Sequence, residues 1–130
     1  MNTVVQRTDL DKAAFGELER SFRGRLVRPG DPTYDEDRKI WNGSIDRSPT
    51  LIARCAGVAD IIAAVRFAKR TGLVVAVRGG GHSFPGLSLC DGGIVIDLGL
   101  MKGIRVDPEG RTVRAQAGVL LGELDRETQA

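Results

Sequence analysis

The apolar run Leu73-Val74-Val75-Ala76-Val77 leads directly into Arg78-Gly79-Gly80-Gly81-His82-Ser83, and this junction narrows the possible folds sharply. An unbroken apolar run of strand length, bounded by Gly72 and by the glycines, reads as a strand buried on both faces. Ahead of it, Val58, Ile61, Ile62, Val65 and Ala68 recur at helical spacing and predict one apolar stripe. Asp60 suits that helix's first turn, Arg66, Lys69 and Arg70 its last, and Gly72 the position just past its end. Leu51-Ile52-Ala53-Arg54-Cys55 precedes the helix as a strand candidate. Strand, helix and buried strand make a βαβ unit, and ligands of such folds sit beyond the carboxyl ends of the strands. The glycine loop begins at that end.

The loop's chemistry follows from its residues. Consecutive glycines leave the backbone bare, so a ligand can approach it closely. Successive N–H groups in such a loop can converge into an anion-binding concavity. Arg78 adds a permanent cation whose planar fork suits phosphate oxygens. His82, the only histidine of the chain, stands at the edge of this pyrophosphate cradle. Ser83, Gly86, Leu87 and Ser88 follow as further candidates to line the ligand.

Rival motifs fail. Gly81 and Gly86 have Walker A spacing, but Leu87-Ser88 stands where Lys and Ser or Thr are needed. A dinucleotide fingerprint needs glycine where Phe84 stands. Gly86-Leu87-Ser88-Leu89-Cys90 and Gly81-His82-Ser83-Phe84-Pro85 each miss the nucleophile elbow at the last residue.

The flanks complete an α+β pattern. Residues 9–25 read as a helix with Leu10, Ala13, Ala14, Leu18 and Phe22 on one face, capped by Asp9 or Asp11 and ended by Gly24. Tyr34 to Trp41 predicts a second, short helix stopped by Asn42-Gly43. Residues 1–45 thus form a helical preface to a domain over 46–130. Downstream, Gly93-Ile94-Val95-Ile96-Asp97 is a strand. Ile104 to Val106 and Thr112 to Ala117 form a hairpin around Asp107-Pro108-Glu109-Gly110, with Pro fixing φ and Gly accepting φ > 0. Leu120, Leu121 and Leu124 stripe a last helix.

Bulk properties exclude several functions. Acidic and basic residues are interleaved at a net charge of +2, which gives no nucleic-acid footprint. One histidine and no Cys-x-x-Cys argue against a zinc site, so no metal is expected. Cys55 reads as a small buried residue and Cys90 as a loop residue; these do not make a disulfide framework. No signal peptide or membrane-spanning stretch is visible, which gives a cytoplasmic default and no membrane partner.

In this order the pieces resemble a known family. They are Pro49-Thr50-Leu51-Ile52-Ala53-Arg54-Cys55, Asp60 through Ala68, Val77 through Ser83, Gly86-Leu87-Ser88, Asp91-Gly92-Gly93, Val95-Ile96-Asp97-Leu98, Ala117-Gly118 and Leu121-Gly122-Glu123-Leu124. Together, over roughly residues 31–130, they are similar to the FAD-binding domain of the vanillyl-alcohol oxidase / p-cresol methylhydroxylase (PCMH) family. The likeness is greatest to its berberine-bridge-enzyme-like oxidases. The resemblance implies FAD held through its pyrophosphate by Arg78, Gly79, Gly80, Gly81, His82 and Ser83, with Gly86, Leu87 and Ser88 beside the flavin. It implies that His82 matches the histidine bonded covalently to the flavin 8α-methyl carbon; the other reading is a loop histidine beside noncovalent FAD.

The implied activity is an FAD-linked oxidase that moves hydride from a substrate carbon to flavin N5. Bicovalent relatives use a second link, from a cysteine beyond the Ala117-Gly118 region, and neither Cys55 nor Cys90 matches it. The expectation is therefore the N-terminal part of a PCMH-type domain, truncated at its C-terminus. Its small-molecule substrate would be bound by a missing C-terminal domain, and the catalytic base is unassigned. The alternatives are a noncatalytic nucleotide- or phosphate-binding module and an inactive remnant.

Overall fold

The structure is a computed structural model that describes residues 12–130. Its elements are α1 (Lys12–Ser21), β1 (Arg25–Val27), α2 (Tyr34–Asp37), β2 (Leu51–Arg54), α3 (Val58–Thr71), β3 (Val75–Arg78), β4 (Ile94–Asp97), β5 (Ile104–Asp107), β6 (Thr112–Ala115) and α4 (Leu121–Thr128). The α+β class holds, with a βαβ unit followed by a hairpin and a helix. The caps expected at Asp9 or Asp11 lie outside the described residues.

β1 to β4 form one sheet in the order β1-β2-β4-β3. β4 pairs in parallel with both β2 and β3, so the strand that follows the βαβ unit is inserted between that unit's two strands. All four residues of β4 are buried, as its central place demands. β1 pairs antiparallel to β2, Leu26 opposite Ala53, so the segment read as a helical preface supplies an edge strand.

The strand period divides the core. Leu51, Ala53, Ile94 and Ile96 face α1 and α3 and pack with Phe15, Leu18 and Phe67. Ile52, Val95 and Ala76 face the other way, against Val27, Tyr34 and Leu89. The Tyr34 hydroxyl closes that side by donating to the Pro49 carbonyl at 2.6 Å.

Two expectations on this unit are corrected. β3 is an edge strand of this sheet; Ala76 and Arg78 are buried, but Val75 and Val77 stand exposed. An apolar run alone does not distinguish a central strand from an edge whose flank is uncovered. On α3 the buried positions are Asp60, Ala64, Phe67 and Ala68, whereas Val58, Ile62 and Val65 are exposed. The small Ala64 and Ala68 let the helix approach the sheet, and Phe67 meets Phe15 of α1 edge-on at 6.5 Å. Helix periodicity marks apolar positions, but the neighbours choose the face. Gly72 ends α3 in the left-handed region, as expected.

Asp60 anchors the start of α3 to the preceding chain. Its carboxylate accepts N–H groups of Arg23 at 2.9 Å, Gly24 at 2.8 Å and Ala56 at 2.9 Å. Burial pushes this carboxyl up, but the Arg23, Ala56 and Gly24 N–H groups outweigh that and hold it below the ordinary value.

The expected hairpin forms as β5 and β6, Val106 opposite Val113. In its turn the left-handed residue is Arg111, at φ 52°, not Gly110. Asp107 explains this in part: it accepts the Gly110 N–H at 3.0 Å and holds the turn before Arg111. α4 follows, its first turn held by Glu123, which accepts the Leu120 N–H at 2.7 Å. The Leu120 N–H and Lys102 keep the Glu123 carboxyl below its usual range. Among the described residues no helix is long and apolar enough to cross a membrane.

Candidate functional site

The carboxyl ends of β2, β4 and β3 bring Arg54, Asp97 and Arg78 into one register row. Each apolar strand ends on a charged residue, a signal present in the sequence as Leu-Ile-Ala-Arg, Ile-Val-Ile-Asp and Val-Ala-Val-Arg. The Arg78 guanidinium donates to Asp97 Oδ2 at 2.8 Å, and both side chains are buried. Arg54 Nε lies 3.2 Å from the same oxygen. Asp97 Oδ1 accepts the Gly99 N–H at 2.8 Å. Outward, Arg54 reaches Asp37 at 3.6 Å, which also takes Arg25 at 2.8 Å and the Thr33 hydroxyl at 2.6 Å. Arg78, expected as a cation for phosphate oxygens, is instead turned into this ladder.

The glycine loop rises from β3 directly above the ladder. Gly79 has no room for a side chain, since a Cβ there would lie 2.6 Å from the Ala117 carbonyl oxygen. Gly81 takes φ +74°, the left-handed conformation. Among the described residues, the N–H groups of Gly79, Gly80, Gly81 and His82 donate no hydrogen bond. Unpaired successive amides are what an anion-binding nest requires.

A cleft of about 450 Å³ opens beside them. Gly79, Gly80, Gly81 and His82 line it together with Arg78, and Lys39 to Trp41 form part of the facing wall. The pattern over residues 34–41 predicts a helix, which conceals this wall. α2 ends at Asp37, and the chain beyond it lies across the loop, with the Trp41 N–H donating to the Gly81 carbonyl at 3.0 Å. The Trp41 and His82 rings stack at 5.8 Å between centroids, tilted by 32°.

The remaining candidates lie outside the cleft lining. Ser83 Oγ accepts the Leu87 N–H at 3.1 Å, which turns the chain toward Gly86. Gly86 packs on Ile45, and its carbonyl takes the Arg47 guanidinium at 2.6 Å. Leu87 is exposed; Ser88 is buried, and its hydroxyl has no partner among the described residues.

Cys55 and Cys90 are both free thiols. Burial, with Asp60 and Asp97 nearby, pushes Cys55 up to about 12. Burial also raises Cys90. Neither is therefore poised as a thiolate nucleophile. Among the described residues no group of His, Cys, Asp and Glu could hold a metal ion.

A family model described as FAD binding domain matches residues 49–130. The chain is 41% identical over 107 residues to (R)-6-hydroxynicotine oxidase of Paenarthrobacter nicotinovorans, covering 82% of this chain and 23% of that protein. Among solved structures, 6-hydroxy-D-nicotine oxidase from Arthrobacter nicotinovorans superposes with a TM-score of 0.80 at 40% identity, over 84% of this chain and 24% of the other. Physcomitrella patens BBE-like 1 gives 0.79 at 30% identity, over 85% and 24%. The chain thus spans about a quarter of the length of these relatives.

Proposed function

Because this chain belongs to the FAD-binding domain family of FAD-linked oxidoreductases, we propose that its glycine loop holds the FAD pyrophosphate and that His82 bonds the flavin covalently. The observation that carries the reading is the run of unpaired N–H groups from Gly79 to His82, opening on a cleft with the imidazole at its rim. The residues fit the group: bare amides for phosphate oxygens, space for a nucleotide, and a nucleophilic side chain next in sequence.

The roles divide by position. Gly79, Gly80, Gly81 and His82 donate backbone N–H bonds to the anion. Arg78 acts one layer below, fixing the loop through Asp97 rather than touching phosphate. Ser83, Gly86, Leu87 and Ser88 shape the return of the chain beside the flavin. Of these, only Ser88 offers a buried hydroxyl without a partner among the described residues. His82 would supply the imidazole nitrogen for a link to the flavin 8α carbon. Forming that link would release two protons and two electrons, which the bound flavin itself would accept. An imidazole is a competent nucleophile near neutral pH.

The bound cofactor supplies acceptance of hydride at flavin N5 from a substrate carbon. In a protein of the relatives' length, the substrate is a small molecule met largely by the other three quarters of the sequence.

Titration of the protein with FAD tests the cradle. Flavin fluorescence should be quenched on binding, and FAD should out-compete ATP and NAD. Equal competition by all three would reduce the loop to a general anion nest.

A further inference from the structure

We infer that Trp41 is a positioning residue for His82, its indole holding the imidazole over the glycine loop in the orientation that flavin attachment needs. The inference rests on the reading of His82 as the attachment point. It begins from a side chain that core packing does not explain. Trp41 is the only tryptophan of the chain, and it stands 69% exposed. Its ring nevertheless meets the His82 ring at 5.8 Å.

The backbone beneath this pair is fixed at several points. The Trp41 N–H donates to the carbonyl of Gly81, the residue before His82, at 3.0 Å. The Asn42 side-chain amide donates to the Phe84 carbonyl at 2.8 Å. The Arg78 guanidinium reaches the Lys39 carbonyl at 3.5 Å. Residues 39–42 are therefore stapled across residues 78–84.

On its other side the imidazole folds back over the loop. A Cβ on Gly80 would lie 3.2 Å from His82 Cδ2 and 3.2 Å from Leu120 Cδ2. No hydrogen bond among the described residues fixes the imidazole nitrogens, so both stay available. A ring held by stacking rather than by hydrogen bonds keeps its lone pair free while losing rotational freedom. That combination suits a nucleophile, because reaction needs a fixed approach.

His82 and Trp41 are each the only residue of their kind, which makes the test clean. In NMR spectra of the full chain without flavin, the His82 ring protons should be displaced by the indole ring current. Trp41→Ala should return them to the values of a free histidine, and Trp41→Phe should keep part of the displacement. Covalent flavin incorporation should then slow by roughly 10–100-fold in Trp41→Ala and recover in Trp41→Phe. At saturating FAD, the slowed incorporation in Trp41→Ala and its recovery in Trp41→Phe should persist, which separates positioning of His82 from any contact of Trp41 with the ligand.

Undisplaced His82 signals in the unsubstituted protein would overturn the proposal. So would an incorporation rate at saturating FAD that Trp41→Ala leaves unchanged, which would reduce Trp41 to a wall of the cleft. Displaced signals without any covalent flavin would sink the attachment reading and leave the ring geometry standing. Should Trp41→Ala fail to fold, Trp41 emission in unsubstituted and His82→Ala proteins still decides whether the rings touch: contact predicts a change, and identical emission contradicts it.

Discussion

Arg78 stands at the head of the glycine loop with its charge engaged by a buried carboxylate. Its position before the glycines suggests a cation for the ligand, yet its guanidinium is buried against Asp97 at 2.8 Å. Removing one member of a buried pair leaves an uncompensated charge, so Arg78→Ala should lose about 3–5 kcal/mol of folding stability. Arg54 and the Gly99 N–H still contact Asp97 and place the expected loss at the lower end. Urea denaturation measures this, and a loss below about 1 kcal/mol would show that the pair does not hold the loop. Arg78→Lys should restore only part, since a point charge cannot reproduce the fork. The glycines carry a similar lesson. A side chain at Gly79 meets the Ala117 carbonyl before any ligand, so its substitution reports on packing as much as on binding.

At the scale of elements, β2 to β6 and α3 were legible because their periods and end residues are strong local signals, whereas β1 lay in a segment read as helical. Gly72 past α3 is a case where local chemistry decides; between β5 and β6 it places the turn but not its left-handed residue, Arg111. The exposed face of Val58, Ile62 and Val65, and the edge place of β3, depend on neighbours that no local pattern names. Trp41 and the wall from Lys39 were missed for the same reason: their partner, Gly81, is distant in sequence.

The junction of α3 with the chain at Arg23 and Gly24 gives a prediction in pH. Asp60 is held below its ordinary value, so its stabilisation is present above about pH 5 and is lost as acid carries the carboxyl through its lowered folded value. Asp60→Asn should lower stability at neutral pH by about 1–3 kcal/mol and flatten the acid limb of the stability profile. An unchanged limb would mean that Asp60 does not hold this junction. In the hairpin, Arg111 occupies the left-handed region, and Arg111→Gly should raise stability by about 1 kcal/mol. Thermal unfolding reads this, and a fall would show that the side chain contributes more than its backbone costs.

Across the whole molecule, stability is distributed unevenly. β2 and β4 lie in a closed core, whereas β6 is exposed along its length and α4 buries no residue. A two-stranded sheet has little stability of its own. Hydrogen exchange should therefore be slowest at Ile52, Val95 and Ile96 and fastest across β5, β6 and α4, with FAD slowing the glycine loop. Uniform protection would mean that the hairpin is part of the same cooperative unit. The glycine loop lies at the boundary between these regions, since Gly79 abuts Ala117 and Gly80 abuts Leu120.

If the loop binds FAD and His82 bonds it, the bond must survive denaturation and digestion. Trypsin should release Gly79–Lys102 as one peptide, cut after Arg78 and Lys102, with His82 inside it. In protein expressed with riboflavin, then denatured and digested, this peptide should absorb as a flavin, and its fragment ions should place FAD on His82. An unmodified peptide, with all flavin released into the acid supernatant, would contradict covalent attachment; a protein that retains no flavin before denaturation would contradict the site itself.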